Sequence, residues 1–246
     1  MAENALTETR PTSAFSTPRE ESLRISEVYV ADQGEGRYAG TPSVFVRTTG
    51  CNLRCWFCDT PYTSWDAEGE TQTVAEIVAQ VLKYDVEHVV ITGGEPLIQP
   101  GIVALTKYLK QAGRFLTIET AGTLFRPLVA DLISLSPKMS NSTPDDEQWN
   151  QRHDQLRHAP TVIEQFRSQF VCQWKFVIDQ PEDLAEVDAY VSSMNVPADE
   201  IWLMPQSRSA EEVQEKTAWL HSEADSRGWK LSPRLHIEKF GNVRGK

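Results

Sequence analysis

The residues best suited to chemistry in this chain are three cysteines that lie within eight consecutive positions. Cys51, Cys55 and Cys58 have the spacing C-x3-C-x2-C. Thiolates are soft ligands that suit iron–sulfur clusters or zinc. Three of them on one tight loop can fill three corners of a [4Fe–4S] cube and leave the fourth iron without a protein ligand. The spacing therefore favours a metal centre with one position open to a small molecule.

Zinc binding or a redox pair would account for the cysteines less well. A zinc site needs a fourth ligand, and the nearest downstream histidine, His88, falls in a predicted strand. A redox pair formed by Cys55 and Cys58 leaves Cys51 without a role. The remaining cysteine, Cys172, lies far away and is best interpreted as a small buried hydrophobe. We rank an open-cornered cluster first, zinc second, and a redox pair or coincidence last.

The elements that must position these thiols form an alternating pattern. Apolar, β-branched runs predict strands over 43–48, 87–92, 114–119, 131–135, 171–178 and 200–204. Amphipathic spacing predicts helices over 73–84, 101–112, 181–193 and 209–227. Strands without polar alternation, separated by helices, are typical of a mainly parallel α/β sheet. Right-handed connections then curl the units into an open or closed barrel, with functional groups at the carboxyl ends of the strands.

Local sequence also predicts how some helices begin and end. Thr73 is suited to cap the helix 73–84, with Glu76 as its capping-box partner. Gly113 and Gly228 are suited to end two of the later helices.

Composition limits the kind of protein and its partners. With 24 Lys and Arg against 35 Asp and Glu, the formal net charge is −11. Such a surface repels phosphate backbones and anionic headgroups, so nucleic acid and membrane are not expected partners. The N-terminal sequence lacks the apolar core of a secretion signal, so we expect a cytoplasmic protein with reduced cysteines.

The chain is long enough for one sizeable domain. Residues 1–22 are polar and rich in Ser, Thr, Pro and charge, which predicts a disordered tail. We expect a single domain over 23–246. Within it, residues 139–160 are too polar for a core and are predicted to form an excursion.

Two motifs together resemble the radical S-adenosylmethionine superfamily. The cysteine spacing is that of the superfamily, with an aromatic residue, Phe57, before the last cysteine. The second motif is Thr92-Gly93-Gly94-Glu95-Pro96, directly after the predicted strand 87–92. The resemblance covers most of residues 24–206. It implies a partial (β/α) barrel, a [4Fe–4S] cluster and S-adenosylmethionine bound at the open iron.

Further segments resemble one family, the 7-carboxy-7-deazaguanine synthases, which contract a pterin ring in the pathway to queuosine. Ala121 departs from the Asn expected in many relatives. The resemblance implies a carbon–nitrogen lyase that converts 6-carboxy-5,6,7,8-tetrahydropterin to 7-carboxy-7-deazaguanine with loss of ammonia. It also implies Mg2+, an electron donor such as flavodoxin or ferredoxin, and a homodimer. The matching segments are Ser26–Tyr29, Asp32–Gly36, Gly40–Pro42, Phe45–Arg47, Asp59-Thr60, Glu119–Thr123 and Ser136–Lys138.

Site residues carried over from the resemblance fall into three groups. Cys51, Cys55 and Cys58 are expected to bind the cluster, and Thr60 to bind Mg2+. The residues expected to hold S-adenosylmethionine are Phe57, Cys58, Asp59, Gly94, Glu95, Ser136, Pro137, Lys138 and Gln206. The residues expected to meet the pterin are Asp32, Gln33, Gly34, Glu35, Arg47 and Thr92. The planar fork of Arg47 suits the substrate carboxylate.

Alternatives stay open for several of these features. Residues 33–36 could be only a hairpin turn, Thr60 could only begin a turn before Pro61, and Arg47 could make a surface ion pair. The rival functions are an activase that takes hydrogen from a partner protein's glycine, and a zinc-binding interaction module. The C-terminal segment 236–246 is glycine-containing and basic, and we expect it to close over the substrate.

Overall fold

Nine strands form one sheet in the computed structural model, which describes residues 22–245. In chain order they are β1 Ser22–Asp32, β2 Pro42–Thr48, β3 Glu70–Thr73, β4 His88–Gly93, β5 Phe115–Thr120, β6 Leu132–Leu135, β7 Cys172–Ile178, β8 Ile201–Pro205 and β9 Lys230–Leu231. Across the sheet their order is β3-β1-β2-β4-β5-β6-β7-β8-β9. All pairs from β2 to β9 are parallel, whereas β1 pairs antiparallel with β2 and β3.

The sheet is an open, partial barrel. Strands β3 and β9 stand at its two edges and do not pair with each other. The prediction of a mainly parallel α/β sheet is confirmed, and of the open and closed forms the open one is found. Strand β4 shows why the predicted strands lack polar alternation, since it is buried at each position from His88 to Thr92. A strand covered on both faces has no polar side to alternate with.

Eight α-helices are described within residues 22–245. They are α1 Pro61–Ser64, α2 Val74–Val81, α3 Ile102–Gln111, α4 Glu147–Arg157, α5 Pro160–Gln169, α6 Leu184–Ser193, α7 Ala210–Ser226 and α8 Leu235–Phe240. The predicted capping box of α2 is confirmed. Thr73 Oγ1 accepts from the Glu76 N–H at 3.2 Å, and the Glu76 carboxylate accepts from the Thr73 N–H at 2.7 Å. Gly113 and Gly228 follow α3 and α7 with φ of 77° and 67°, as expected at helix ends.

Sequence patterns predict the central parallel strands of the sheet and four of the helices. All six predicted strands are confirmed as β2 and β4 to β8, and the four predicted helices as α2, α3, α6 and α7. Strands β1, β3 and β9 and helices α1, α4, α5 and α8 were not predicted. Of these strands, β3 and β9 are edge segments of four and two residues, whose pairing depends on a neighbour and not on their own pattern.

Residues 139–160 contribute more to the interior than their polarity suggests. A 3₁₀ turn at Ser140–Ser142 and helix α4 lie in this segment. Ser142 and His153 are completely buried, so the prediction that the segment is too polar for the core was wrong for these two. They satisfy one another with a 2.9 Å hydrogen bond, which lowers the cost of burying them.

The predicted disordered tail, residues 1–22, lies outside the described residues except for Ser22, which begins β1. The single-domain boundary at residue 23 stays a prediction. No helix within residues 22–245 has the length and apolarity needed to cross a bilayer.

Candidate active site

A cavity of about 450 Å³ lies where the parallel strands end. Thr92 and Gly93 reach it from β4, Glu119 and Thr120 from β5, and Met204 from β8. The carboxyl ends of parallel strands meet at one edge of a sheet, which is why groups so far apart in sequence share one cavity. The candidate side chains on these strands therefore lie at the carboxyl ends of the parallel strands, as the sequence pattern predicted.

One end of the cavity is formed by the cysteine loop. Cys51, Cys55 and Cys58 all line the cavity, and no disulfide joins them. Leu53 and Phe57 are buried beside Cys55 in a small apolar cluster. Burial raises the pKa of the Cys51 and Cys55 thiols to about 12. These thiols therefore hold their protons until a metal displaces them.

The spacing of the three thiols bears on which metal they suit. A tetrahedral zinc ion with bonds of about 2.3 Å needs sulfurs roughly 4 Å apart. In the described part of the chain, Glu35, Asp59 and His236 are the one set of three such ligand atoms that lie within 4.8 Å of one another, and no cysteine belongs to it. The thiols are therefore spread more widely than one zinc ion requires. Cysteine thiolates are also the ligands of four-iron clusters.

The paired glycines after β4 are required by the protein's own backbone. Gly93 has φ of 136°, and a Cβ there would lie 2.1 Å from the Thr48 carbonyl oxygen. A Cβ on Gly94 would lie 2.2 Å from the carbonyl oxygen of Gly50. Only glycine lets the end of β4 approach the start of the cysteine loop this closely. The glycine motif thus packs directly against the start of the cysteine loop, and these are the two motifs that together indicated the superfamily.

Glu95, in the same motif, does not face the cavity. Its carboxylate is completely buried and accepts from Thr120 Oγ1 at 2.8 Å, the Ala121 N–H at 2.9 Å and the Leu97 N–H at 3.2 Å. Burial raises its pKa, and these hydrogen bonds offset only part of that effect. As described, Glu95 fastens the end of β5 to the turn after β4. Pro137 likewise does not line the cavity, whereas the other predicted site residues do.

The far end of the cavity is a network of buried charges around Lys175 of β7. The ammonium lies 2.7 Å from a Glu35 carboxylate oxygen and 3.2 Å from one of Glu119. Glu119 also accepts from Gln33 Nε2 at 3.3 Å and Thr92 Oγ1 at 2.8 Å. Burial opposes the charge on Glu35, but Lys175 and its other cationic neighbours outweigh burial and lower the pKa of this carboxyl. Glu35 and Lys175 are therefore held as an ion pair that is already formed in the folded protein.

A second cation, Arg234, closes this end. It forms an ion pair with Asp59, lies 3.6 Å from Glu35 and donates to the Ser207 carbonyl at 2.7 Å. Burial raises the pKa of Asp59, but the charges of Arg234, His236 and Arg47 together lower it by more, so the net shift is downward. His236 lies 3.9 Å from Glu35 and completes the group. These carboxylates already carry cationic partners, which makes them a poor site for a further metal ion.

Two side chains of β1 fix the orientation of Arg47. Its Nε donates to Glu27 at 2.7 Å and its Nη2 to the Tyr29 hydroxyl at 2.6 Å. Its side chain is 15% exposed and lines the cavity, so the surface ion pair considered from the sequence is not what forms. Residues 33–36 do connect β1 to β2, and Thr60 does precede α1, yet Gln33, Gly34, Glu35 and Thr60 also line the cavity.

Comparison with known proteins gives the family. The Radical SAM superfamily matches residues 45–142. A 7-carboxy-7-deazaguanine synthase from Rhodopirellula baltica is 47% identical over 92% of this chain and 90% of its own length. Another, from Halobacterium salinarum, is 37% identical over 90% of this chain and 92% of its own length. The chain belongs to the 7-carboxy-7-deazaguanine synthase family.

A solved structure with this fold is QueE from Escherichia coli. It superimposes with a TM-score of 0.64 at 23% identity, over 87% of this chain and 95% of that chain. At this identity the likeness concerns the fold. It agrees with the open, mainly parallel sheet described above.

As a radical S-adenosylmethionine enzyme of this family, the chain is implied to hold a [4Fe–4S] cluster and S-adenosylmethionine. The donor set fits the cluster, because three thiols line the cavity and the carboxylate next to them, Asp59, is already paired with Arg234. Lys138 and Ser136 line the cavity beside them, with the ammonium donating to Ser136 Oγ at 2.7 Å. Gln206 also lines it, and its side-chain oxygen accepts from Lys216 at 2.9 Å.

Several residues of this family member's site could not be assigned from the sequence. Lys175 and Arg234 are single cations in segments without a motif, and Glu119 carried no predicted role beyond its place in a matching segment. The one available signal for Lys175 was a charge inside an otherwise apolar strand, VCQWKFVI. A charge placed there is costly unless it is paired.

Proposed function

We propose that this protein converts 6-carboxy-5,6,7,8-tetrahydropterin to 7-carboxy-7-deazaguanine, with release of ammonia. The observation that carries the proposal is one cavity that has three thiols at one end and the Glu35–Lys175–Glu119 network at the other. The first end suits an iron–sulfur cluster, and the second suits a flat heterocycle rich in hydrogen-bond donors and acceptors. The activity for which the relatives are named supports the same assignment.

The chemistry supplied by the bound cofactors is a one-electron reductive cleavage that yields a carbon radical able to abstract hydrogen. The protein's own part is binding, orientation and exclusion of water. In this proposal Ser136, Lys138 and Gln206 hold S-adenosylmethionine, with Gly94 and the backbone of Phe57, Cys58 and Asp59 beside it. Glu95 and Pro137 support the pocket from behind.

The substrate is placed at the charged end. In this proposal Gln33, Gly34 and Glu35 meet the pterin edge, Thr92 and Asp32 lie beside it, and Arg47 takes the carboxylate. Glu27 and Tyr29 hold two nitrogens of Arg47, which fixes the plane of the guanidinium. A pre-oriented fork loses little entropy when it binds a carboxylate.

The decisive experiment is anaerobic turnover of the reconstituted protein with carboxypterin, S-adenosylmethionine and dithionite. We expect 7-carboxy-7-deazaguanine and ammonia in equal amounts. Because the product equals the substrate minus ammonia, the abstracted hydrogen must be returned, and 5′-deoxyadenosine should stay well below the product. Protein that contains iron and sulfide but forms no deazaguanine would refute the proposal. A glycyl radical on a partner protein would support the activase instead, and zinc without iron in anaerobically purified protein would support the interaction module.

Mg2+ is part of this proposal, with Thr60 as its protein ligand. Thr60 lines the cavity, and a hard ion such as Mg2+ prefers oxygen ligands from protein and substrate. For Thr60→Ala with an intact cluster, we expect the Mg2+-stimulated rate to fall at least about tenfold. Thr63→Ala is the control, because Thr63 is buried behind Thr60 and donates to its carbonyl at 2.9 Å. An equal response to Mg2+ in Thr60→Ala and the native protein would remove Thr60 from the site.

We also infer a cytoplasmic homodimer that receives electrons from flavodoxin or ferredoxin, as the family resemblance suggests. Light scattering tests the dimer. Product formation with a reduced flavodoxin in place of dithionite tests the donor.

A further inference from the structure

One cation of the cysteine loop has no part in the cavity. Arg54 lies between Cys51 and Cys55 but does not line the cavity. Its Nη1 donates to the carbonyl oxygen of Cys51 at 2.8 Å and to that of Leu53 at 2.7 Å. The guanidinium thus folds back on the loop that carries the three thiols. A guanidinium is a planar, delocalised cation.

Two tryptophans hold this guanidinium in place. Its Cζ lies 4.1 Å from the centroid of the Trp149 ring and 5.8 Å from that of Trp65. Trp65 also donates its indole N–H to the Cys55 carbonyl at 3.2 Å. Cations stacked on indole are stabilised by the ring's electrostatic field. Arg54 is therefore fixed in position and not a mobile surface charge.

Arg54 forms no ion pair with a carboxylate of residues 22–245, whereas many other arginines of this acidic protein do. None of the acidic residues at the start of α4 or beside His153 pairs with Arg54, and Glu147 forms no ion pair with it. Asp154 is paired with Arg157 at 2.7 Å, and Asp146 caps the helix through the N–H groups of Gln148 and Trp149. The charge of Arg54 is thus not cancelled by a neighbour in the described structure.

The segment 139–157 positions this arrangement. His153 Nδ1 accepts from the backbone N–H of Arg54 at 3.1 Å, and its Nε2 forms a hydrogen bond with the Ser142 hydroxyl at 2.9 Å. The backbone N–H of Trp56 donates to the Ser142 carbonyl at 3.3 Å. Helix α4 also supplies Trp149. The polar segment that the sequence pattern placed outside the core is therefore the support of the cysteine loop.

We propose that Arg54, clamped by Trp149 and Trp65, is a fixed positive charge that raises the reduction potential of the cluster held by the three cysteines. Reduction adds a negative charge to the cluster, and a nearby unpaired cation stabilises that form. Potentials of iron–sulfur clusters respond to local charge and hydrogen bonding in this way. The proposal rests on the cluster assigned under the proposed function and adds a residue that eases its reduction.

The test is a redox titration of the reconstituted cluster followed by electron paramagnetic resonance, without substrate. For Arg54→Met we expect the ratio of reduced to oxidised cluster at a fixed potential to fall about tenfold. For a one-electron couple this is a shift of about 59 mV to lower potential. Arg152→Met is the matched control: Arg152 stacks on Trp149 at 4.8 Å but is exposed, so solvent screens it. We expect a change below about twofold there.

Two further variants keep the test decisive. Arg54→Lys retains the charge without the fork, and we expect a nearly native potential; a tenfold fall in that variant would show that charge is not the cause. If Arg54→Met assembles no cluster, Trp149→Leu decides, because it frees the guanidinium toward solvent and should lower the potential by a smaller amount. A native potential in Arg54→Met, or failing that in Trp149→Leu, overturns the proposal.

Product formation with dithionite is measured separately for each variant. A titrating cluster that shows these shifts without deazaguanine would refute the proposed function alone. Normal product with an unshifted potential would refute the role of Arg54 alone.

Discussion

At one end of the cavity three thiols come from eight consecutive residues, whereas at the other end Lys175 pairs with Glu35, 140 positions away, and with Glu119, 56 positions away. At the first end the Cys51 and Cys55 thiols stay neutral until metal binds, since burial raises their pKa to about 12. The second is charged in advance, since burial there is outweighed by opposite charges. The thiol end is completed by its cofactor and the charged end by the fold. Substitutions at the two ends should therefore differ in their effects on cluster content and on stability.

The largest effect is expected from Cys55→Ala. Removing one of three thiols leaves too few protein ligands to hold a four-iron cube with an open corner. We expect loss of the cluster and turnover at background, while unfolding by denaturant changes by less than about 2 kcal/mol, since a thiol is a small buried group. Iron and sulfide content, turnover and urea unfolding measure these three effects. Cys172→Ala, which changes a buried cysteine outside the cavity, should retain full activity and cluster content.

The charged end should lose stability as well as activity. Lys175→Met leaves Glu35 and Glu119 without the ammonium that compensates them, and breaking a buried ion pair from one side costs about 3–5 kcal/mol. We expect the free energy of unfolding to fall by that amount and turnover to fall roughly a hundredfold or more, with iron content unchanged.

Lys110→Met is the control for Lys175→Met. Its pair with Asp131 is 37% and 24% exposed, so we expect a cost below about 1 kcal/mol. Equal destabilisation of the two variants in urea unfolding would show that the Lys175 network is not held by its charges.

The same contrast accounts for how much could be predicted from sequence. The cysteines of the loop lie close together in sequence, and so do the residues of the glycine motif, so spacing alone predicted both. Apolar runs predicted β4 and its parallel neighbours. Lys175 and Arg234 gave no such signal, because their roles exist only once β7 and the start of α8 reach the same cavity. Residues 139–160 misled for a related reason. Ser142 and His153 are polar yet buried, since each finds its hydrogen-bond partner only in the folded chain.

A smaller effect is expected in the pH dependence of stability, and it comes from His153, which supports the cysteine loop. Burial and the Arg157 cation lower the pKa of His153 from 6.5 to about 4, so the folded state favours the neutral ring. The stabilisation is complete above pH 6.5 and is lost as pH falls toward 4. Between pH 6.5 and 5 we expect the native protein to lose about 1.5 kcal/mol that His153→Gln does not lose.

Urea unfolding of cluster-loaded protein under anaerobic conditions measures both pH curves. Glutamine keeps a donor and an acceptor but does not titrate, so carboxylates that titrate in both proteins cancel in the difference. Parallel curves over this range would mean that His153 is not neutral in the folded state.

The smallest effect is expected where the C-terminal segment reaches the charged end. Asn242 to Gly245 line the cavity, and Arg244 is joined to Glu68 at 2.8 Å and stacked 4.3 Å over the Tyr62 ring. Arg244 also lies 3.6 Å from Glu27, the partner of Arg47. At 43% exposure its ion pairs stabilise by less than about 1 kcal/mol, so Arg244→Ala should unfold almost as the native protein does.

Its effect should instead be on substrate binding. Without Arg244 the segment is no longer tied to the group that orients Arg47, and we expect KM for the carboxypterin to rise roughly two- to fivefold with kcat unchanged. Lys239→Ala removes an exposed pair with Asp32 in the same part of the chain and leaves Glu27 untouched, so its KM should rise less. If Arg244→Ala had a native KM, the segment would cover the cavity without holding the substrate, and the charged end would be complete without it.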